Sequence, residues 1–505
     1  MVHRRIRYEM ARFVLPKHRD YIVVELKYET PVVAEQKNAR FVGKDEGEQD
    51  AEKLNGVIAK FGILGVRNQF PLRPKAVRQS LEVATKLPDI PMASAVARKI
   101  ATVTKKDLDV SSFFKSNFVA VVPKNAADAK KIASALKKQP AVWDAYPAPY
   151  PVPPLYVQLP DIAEPGSFNL EPTQGYLYSA PYGIGAMDAW EYAGGKGDGV
   201  SICDVEYAWN LDHEDLPRTI KRLGGTPLTQ NDFVNHGTAV LGEMVAVPNA
   251  FGAVGISHEA KAFVQSAMTD NNVYDLAWAI DNAASKLSAG DVMLIEQHSE
   301  LNPGKGDFVA MQYWSAIFTA IQAAVNKGIV VVEAAGNGSQ NFDAAGFNGS
   351  YLQKDCGAIV VGAGVPPTNR VDFNGFGQAY PGYSSLGVPR SRIFFSNYGK
   401  IVNLQGWGWH VSSTGYGDAQ DGADPNKFYT FRFSGTSSAS PIVTGAVACL
   451  QGAARAKVGR PLTPDRVRKL LVDTGTLQED SPGVAVASNH IGPQPNLVAA
   501  IKRLQ

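Results

Sequence analysis

The pattern of hydrophobic and polar positions predicts two strand–helix–strand units in the first part of the chain. Residues 21–27 form a mostly apolar run typical of a strand, and residues 63–70 form another. Between them, four apolar residues recur at the spacing of one helix face: Leu54, Val57, Ile58 and Phe61. Residues 118–146 repeat the order strand, helix, strand. The order βαββαβ predicts a ferredoxin-like α+β domain over residues 1–146, with an insertion at about 71–110.

The next segment is dominated by proline. Residues 147–154 read Pro-Ala-Pro-Tyr-Pro-Val-Pro-Pro, a composition that favours an extended polyproline II conformation. We therefore predict a linker over residues 147–173. Any cleavage during maturation is expected within it, between residues 155 and 173.

From residue 174 onward, short apolar runs alternate with helical segments. Two helices are predicted at residues 272–286 and 314–326. The strand-like runs are residues 199–203, 262–265, 292–295, 329–332, 358–362 and 401–404. Continuous apolar runs are typical of parallel strands covered on both faces. Residues 174–505 therefore predict a doubly wound, mostly parallel α/β sheet, in which sites gather at the carboxyl ends of the strands.

Composition narrows the class of protein. Hydrophobic residues make up 45% of the chain and charged residues 19%, so the chain can bury a large core. The net charge is +2 and the basic residues are scattered, which argues against a nucleic-acid partner. The sequence contains no run of about 18 apolar residues, so it predicts no membrane-spanning helix.

Cysteine usage and the first residues bear on the compartment. Cys203, Cys356 and Cys449 each lie in an apolar run and are predicted to be buried free thiols. The basic first residues are followed by no continuous apolar stretch, which makes a poor signal peptide. The expectation is a cytoplasmic protein, with export by another route as the alternative.

Three short segments carry the chemistry. Asp204 ends an apolar strand, His236 opens a predicted helix, and Ser437 lies in residues 434–441, Ser-Gly-Thr-Ser-Ser-Ala-Ser-Pro. The order Asp, His, Ser is that of the subtilisin triad and differs from two other serine-hydrolase orders. The chain resembles the subtilisin-like serine peptidases (subtilases), which implies peptide-bond hydrolysis through an acyl-enzyme.

The resemblance implies a role for each residue. Ser437 would be the nucleophile, His236 the general base and then acid, and Asp204 the group that orients His236. Each residue also has an alternative interpretation without a catalytic role. The serine segment would be a helix cap, His236 a structural histidine, and Asp204 a helix cap or a member of a salt bridge. The chain departs from the family directly after the aspartate, where Val205-Glu206 replaces the usual Ser/Thr-Gly. The resemblance therefore does not predict the backbone conformation at these two residues.

Asn337 follows a predicted strand and resembles the family's oxyanion-hole asparagine. A fixed amide donor, with the backbone N–H of Ser437, would stabilise the charge of the tetrahedral intermediate. The alternative is an Asn-Gly turn. Residues 337–339 also form a glycosylation sequon, which we interpret as accidental because a glycan there would block the site.

Substrate binding is less well defined. Glu296 and Gln297 lie where subtilases pair with the substrate backbone, and Glu333 precedes the segment Ala334, Ala335 and Gly336, which lines the P1 pocket in the family. Two carboxylates there would favour a basic P1 side chain. The alternative is a buried pair neutralised by an internal arginine or by shared protons.

The resemblance implies no required cofactor, although a structural calcium is possible. Asp215 and residues 247–253 resemble in spacing a calcium site of the family, whose loop also occurs in metal-free relatives. No zinc-binding spacing is present, and we assign no metal ligand among the catalytic residues.

The position of the ferredoxin-like domain resembles that of the subtilase propeptide, a folding chaperone and inhibitor. The alternative is an unrelated N-terminal domain. The expected partners are protein or peptide substrates and the chain's own N-terminal domain as intramolecular inhibitor, with no nucleic acid and no membrane. Two other functions are kept as alternatives: a catalytically silent binding protein on this fold, and an enzyme held permanently shut by its N-terminal domain.

Overall fold

The computed structural model describes residues 21–26, 32–35, 40–43, 48–61, 63–68, 118–149, 169–249, 251–302, 304–367, 387–420, 423–481 and 484–505. The predicted insertion at 71–110 and most of the predicted linker lie outside the described residues.

The N-terminal part forms an antiparallel sheet of four strands covered by two helices. Its sheet has the order β4-β5-β1-β6, which is that of the predicted βαββαβ unit, and an unpredicted hairpin, β2–β3, precedes α1. The elements are β1 (Ile22–Leu26), β2 (Val32–Glu35), β3 (Arg40–Gly43), α1 (Glu48–Phe61), β4 (Ile63–Asn68), β5 (Phe118–Pro123), α2 (Ala129–Lys137) and β6 (Val142–Pro147).

Strand β1 is apolar apart from Glu25 because both of its faces are buried. Ile22, Val24 and Leu26 pack with α1 and α2, whereas Tyr21 and Val23 join the core of the larger C-terminal part. Since side chains alternate between the faces of a strand, one face of β1 packs in the core of the N-terminal part and the other packs against the C-terminal part.

The C-terminal part is built on a seven-stranded sheet in which every pairing is parallel, in the order β15-β14-β13-β10-β7-β9-β8. Its strands are β7 (Ser201–Glu206), β8 (Lys221–Gly224), β9 (Lys261–Ser266), β10 (Val292–Ile295), β13 (Val330–Ala334), β14 (Ile359–Gly364) and β15 (Val402–Trp407). Four further strands form two hairpins: β11 (His298–Glu300), β12 (Phe308–Ala310), β16 (Val411–Thr414) and β17 (Tyr429–Phe433). Six strands match the predicted runs, and the edge strand β8 was not predicted.

Helices cover both faces of this sheet, as the doubly wound prediction requires. They are α3 (Ala186–Ala189), α4 (Asn231–Val245), α5 (Leu276–Ala284), α6 (Ser315–Asn326), α7 (Thr436–Val458), α8 (Pro464–Thr474) and α9 (Leu497–Lys502). Helices α4, α7, α8 and α9 share one hydrophobic core, and α5 and α6 share the other with the N-terminal sheet. Strands β8 and β9 lie on one side of β7, whereas β10 and the later strands of the sheet lie on its other side. The direction in which strands are added therefore reverses between β7 and β10, and a site is expected beyond the carboxyl ends of these two strands.

The three cysteines are free and buried, as predicted. Among the described residues, no helix combines the length and the apolar character that a bilayer crossing requires.

Candidate active site

Strand β7 carries two carboxyl groups to the same place. Asp204 and Glu206 are two residues apart in a strand, so their side chains point to the same face of the sheet, and both are fully buried. Helix α4 packs on that face and supplies His236. The helix begins at Asn231, so His236 lies inside it and not at its start, which corrects the prediction from sequence.

The structure pairs His236 with Glu206. The distance from Nδ1 of His236 to Oε2 of Glu206 is 3.0 Å. Asp204, expected to make this contact, instead accepts a hydrogen bond at 2.7 Å from the indole N–H of Trp209 to its Oδ2. The strand runs on through Glu206, the position whose conformation the sequence left undetermined, and this continuation brings the longer side chain to the imidazole.

The hydrogen bonds distinguish the two carboxyls. The second oxygen of Glu206, Oε1, accepts from the backbone N–H of Tyr207 at 2.9 Å, whereas Oδ1 of Asp204 has no partner among the described residues. Burial raises the pKa of both carboxyls, and the charge of Glu206 raises the pKa of Asp204 further. Burial also lowers the pKa of the His236 imidazole, which favours the neutral form that a base requires.

Ser437 lies in the first turn of α7, where backbone N–H groups have no partner within the helix and the helix dipole is positive. The helix is preceded by Gly435, whose φ of 101° is in a region that favours glycine. A Cβ at this position would lie 3.0 Å from Nδ2 of Asn337, so the glycine also allows Asn337 to approach the helix start.

Asn337 is held in one orientation. Its Oδ1 accepts from the backbone N–H of Thr436 at 2.8 Å and from the Thr436 hydroxyl at 3.0 Å. Its backbone N–H donates to Nδ1 of His298 at 3.3 Å. These contacts leave the Nδ2 amide group beside the start of α7, where it can donate to a ligand oxygen.

The two carboxyls predicted near the P1 pocket are buried. The hydroxyl of Ser440 donates to Oε2 of Glu296 at 2.5 Å, and the backbone N–H of Gln312 donates to Oε1 of Glu333 at 2.8 Å. Burial raises the pKa of Glu333 to about 8. Gln297 is also buried, with its Oε1 accepting from the Tyr274 hydroxyl at 2.6 Å. This arrangement favours the alternative of buried, protonated carboxyls.

The segment Ala334, Ala335 and Gly336 connects β13 to Asn337. The backbone N–H of Gly336 donates to the Thr436 hydroxyl oxygen at 3.1 Å, and Ala335 is fully buried. The segment therefore fixes the position of Asn337. Its role as a wall of the P1 pocket stays a prediction.

Several residues of the site were not singled out from the sequence. Glu206 had a signal, because a second carboxyl two positions after Asp204 shares its strand face. Phe433 contacts the His236 ring edge-on at 5.4 Å between centroids, and His298 stacks on Phe308 at 4.4 Å. Trp209 is close in sequence to Asp204, and Phe433 to Ser437, but no motif marks either as a contact of the catalytic residues. His298 comes from a separate part of the chain.

The residues of the predicted calcium site do not fit a cation. Asp215 accepts from the Asn249 side-chain N–H₂ group at 2.8 Å and from the backbone N–H of Ala253 at 2.6 Å, one on each carboxyl oxygen. The Oδ1 atom of Asn249 is engaged by the backbone N–H of Phe251. Calcium requires oxygen atoms turned toward it, and here N–H donors point at the carboxyl. No metal-binding group of three or more histidine, cysteine or acidic side chains occurs in the described part of the chain.

Comparisons with known proteins identify the family of the C-terminal part. The model of the subtilase family matches residues 197–492, a span that contains Asp204, His236, Asn337 and Ser437. An intracellular serine protease of Paenibacillus polymyxa is 28% identical over 306 residues, which cover 57% of this chain and 77% of that protein. A calcium-dependent protease of Nostoc sp. is 28% identical over 283 residues, which cover 52% of this chain and 40% of that protein.

Among solved structures, a protease of Pseudoalteromonas arctica is 20% identical, with a TM-score of 0.47. The similarity covers 67% of this chain and 99% of that one.

Proposed function

Because this chain belongs to the subtilase family of serine peptidases, we propose that it is an endopeptidase that cleaves protein or peptide substrates through an acyl-enzyme on Ser437. The observation that carries the proposal is the position of Asn337. Its amide is fixed by Thr436 beside the first turn of α7, the turn that holds Ser437.

In the proposed reaction, Ser437 Oγ attacks the scissile carbonyl while His236 takes the hydroxyl proton. The bond to the leaving amine then breaks as His236 returns the proton to that nitrogen. The Nδ2 amide of Asn337 and the backbone N–H of Ser437 stabilise the negative oxygen of the tetrahedral intermediate. Water releases the acyl group by the reverse proton path. A buried carboxylate on β7 orients the imidazole.

We also propose that the chain is made as a self-inhibited precursor whose N-terminal domain is an intramolecular inhibitor. The hydroxyl of Tyr146 lies 3.2 Å from the Ser315 hydroxyl and accepts from the backbone N–H of Ala316 at 3.1 Å. The Tyr146 ring packs 5.0 Å from that of Trp314. These contacts support docking of the N-terminal domain on the start of α6. An enzyme that its N-terminal domain inhibits permanently would make the same contacts. Cleavage of the chain between the two domains distinguishes the self-inhibited precursor from such an enzyme.

The name of the Nostoc sp. relative raises the question of calcium for this chain. We propose that the Asp215 site is stable without the metal, because the two N–H donors of its loop already satisfy the carboxyl.

A fluorophosphonate probe tests the peptidase proposal. We expect labelling of the wild type and none of Ser437→Ala, in full-length protein and in a form that starts at Gln174. Stronger labelling of the shorter form supports inhibition by the N-terminal domain. A band corresponding to residues 174–505 on a denaturing gel, absent in Ser437→Ala, would indicate self-processing. If folded wild type takes no label in either form, the protein is instead a silent binding protein.

A further inference from the structure

We propose that Glu206, and not Asp204, is the positioning residue that orients His236, and that Asp204 is a neutral carboxylic acid bonded to Trp209. The proposal rests on the proposed function of this site and names which of two neighbouring carboxyls serves it.

The first support is the geometry of the imidazole. Nδ1 of His236 is 3.0 Å from Oε2 of Glu206, a hydrogen-bond distance between two groups that are both buried. A carboxylate at Nδ1 fixes the tautomer in which Nδ1 carries the proton, and Nε2 is then free to accept one. Glu206 therefore makes the contact that this chemistry requires.

The second support is what Asp204 does instead. Its Oδ2 accepts from Nε1 of Trp209 at 2.7 Å. The indole N–H can only donate, so Asp204 serves as its acceptor, while Nδ1 of His236 is paired with Glu206. In sequence, Trp209 follows Asp204 by five residues, and it returns to the carboxyl after β7 ends at Glu206.

The third support is the balance of charge. Two ionised carboxylates side by side in a buried place are costly, so one of the pair retains a proton. Glu206 has a donor on each oxygen, Tyr207 N–H and His236 Nδ1–H, whereas Asp204 has one donor and an Oδ1 atom without a partner in the described part of the chain. The negative charge is therefore more stable on Glu206.

Neighbouring groups favour the same assignment. Glu296, which directly follows the adjacent strand β10, interacts electrostatically with both Glu206 and Asp204, and burial raises the pKa of Glu296 well above its usual range. Burial disfavours the charged forms of Glu296 and Asp204, so of these three carboxyls the negative charge is most stable on Glu206, which has a donor on each oxygen. One charge is what an imidazolium formed during the reaction requires as its counter-ion.

A matched pair of neutral substitutions tests the proposal in the full-length chain: Glu206→Gln and Asp204→Asn. We expect Glu206→Gln to lower kcat by on the order of 10⁴, with little change in KM, because an amide imposes the wrong histidine tautomer. Asp204→Asn replaces a neutral acid by a neutral amide of the same shape, so kcat should stay within about tenfold of the wild type, the scale of one hydrogen bond. Glu206→Asp should recover part of the lost rate.

A second measurement does not depend on activity. In the inactive Ser437→Ala background, the downfield proton resonance of His236 Nδ1–H, assigned through a His236→Gln variant, should vanish in Glu206→Gln and persist in Asp204→Asn. Its loss in Asp204→Asn, or its persistence in Glu206→Gln, overturns the proposal. If the wild type fails to react with a fluorophosphonate but the resonance follows Glu206, the peptidase proposal fails and the assignment of Glu206 stands.

Discussion

Thr436 donates two hydrogen bonds to one atom of Asn337: its backbone N–H and its hydroxyl both reach Oδ1, at 2.8 and 3.0 Å. The same hydroxyl oxygen accepts from the backbone N–H of Gly336 at 3.1 Å. The residue directly before the proposed nucleophile thus fixes the proposed oxyanion donor, and one helix start positions both.

This relationship predicts a kinetic effect for Thr436→Val, which keeps the shape and removes the hydroxyl. Loss of an oxyanion donor costs about 10²–10³ in kcat, and a donor that is merely less well held should lose less, about tenfold. KM should change little, because the donor acts on the transition state. Steady-state kinetics on a peptide substrate measures both constants.

Thr436→Ser is the matched control, because it retains the hydroxyl and should retain most of kcat. An increase in KM with kcat unchanged would show that Thr436 supports substrate binding and not the oxyanion donor.

The sequence predicted the elements that are buried on both faces. The four residues of β10, Val292–Ile295, are apolar and buried because the strand lies inside the sheet with helices above and below. Strand β8 begins with the exposed Lys221 and Arg222 at the edge of the sheet, so it carries no apolar run and was missed.

The sequence predicted several of the residues that form the candidate site, but not which of them form hydrogen bonds with one another. Sequence order located Asp204, His236 and Ser437, and alternation along a strand places Glu206 on the same face as Asp204. The choice between the two carboxyls depends on where Trp209 returns to the strand. That contact is a property of the folded loop, and no local pattern records it.

The buried positions of Glu296 and Glu333 predict that neither sets the P1 preference. We expect the double variant Glu296→Gln/Glu333→Gln to cleave peptides with P1 Lys or Arg and with P1 Leu or Phe in the same ratio as the wild type. Each glutamine keeps an oxygen for the donors now on the carboxyl, Ser440 and Gln312. A selective loss of cleavage after Lys or Arg would restore the hypothesis of a basic P1 pocket.

The donors around Asp215 predict that a chelator does not lower the thermal stability of the protein. A site that binds calcium at a hundred times its Kd would add about 2.7 kcal/mol to the free energy of unfolding, which is readily measured as a change in Tm. We expect equal Tm values in EDTA and in millimolar calcium, measured in Ser437→Ala to prevent self-digestion. A rise with calcium that Asp215→Asn abolishes would contradict this expectation.

Glu25 makes docking of the N-terminal domain dependent on pH. It lies on the β1 face that carries Tyr21 and Val23 to the larger core, and burial raises its pKa to about 7. A hydrogen bond with Ser315 and the charge of Lys354 oppose this rise, and Asp144 adds to it. In the undocked domain the carboxyl is exposed to water, so its pKa returns to an ordinary value of about 4.3.

The docked state therefore binds the proton more tightly than the undocked state. Docking is strongest below about pH 4.3, weakens by up to tenfold per pH unit as the pH rises toward 7, and is constant above it. In full-length Ser437→Ala, hydrogen exchange at the Ala316 amide, which Tyr146 covers, should be faster at pH 8 than at pH 5 beyond the intrinsic change. Glu25→Gln is neutral at every pH and should remove the excess. An excess that persists in Glu25→Gln would assign the pH dependence to another group.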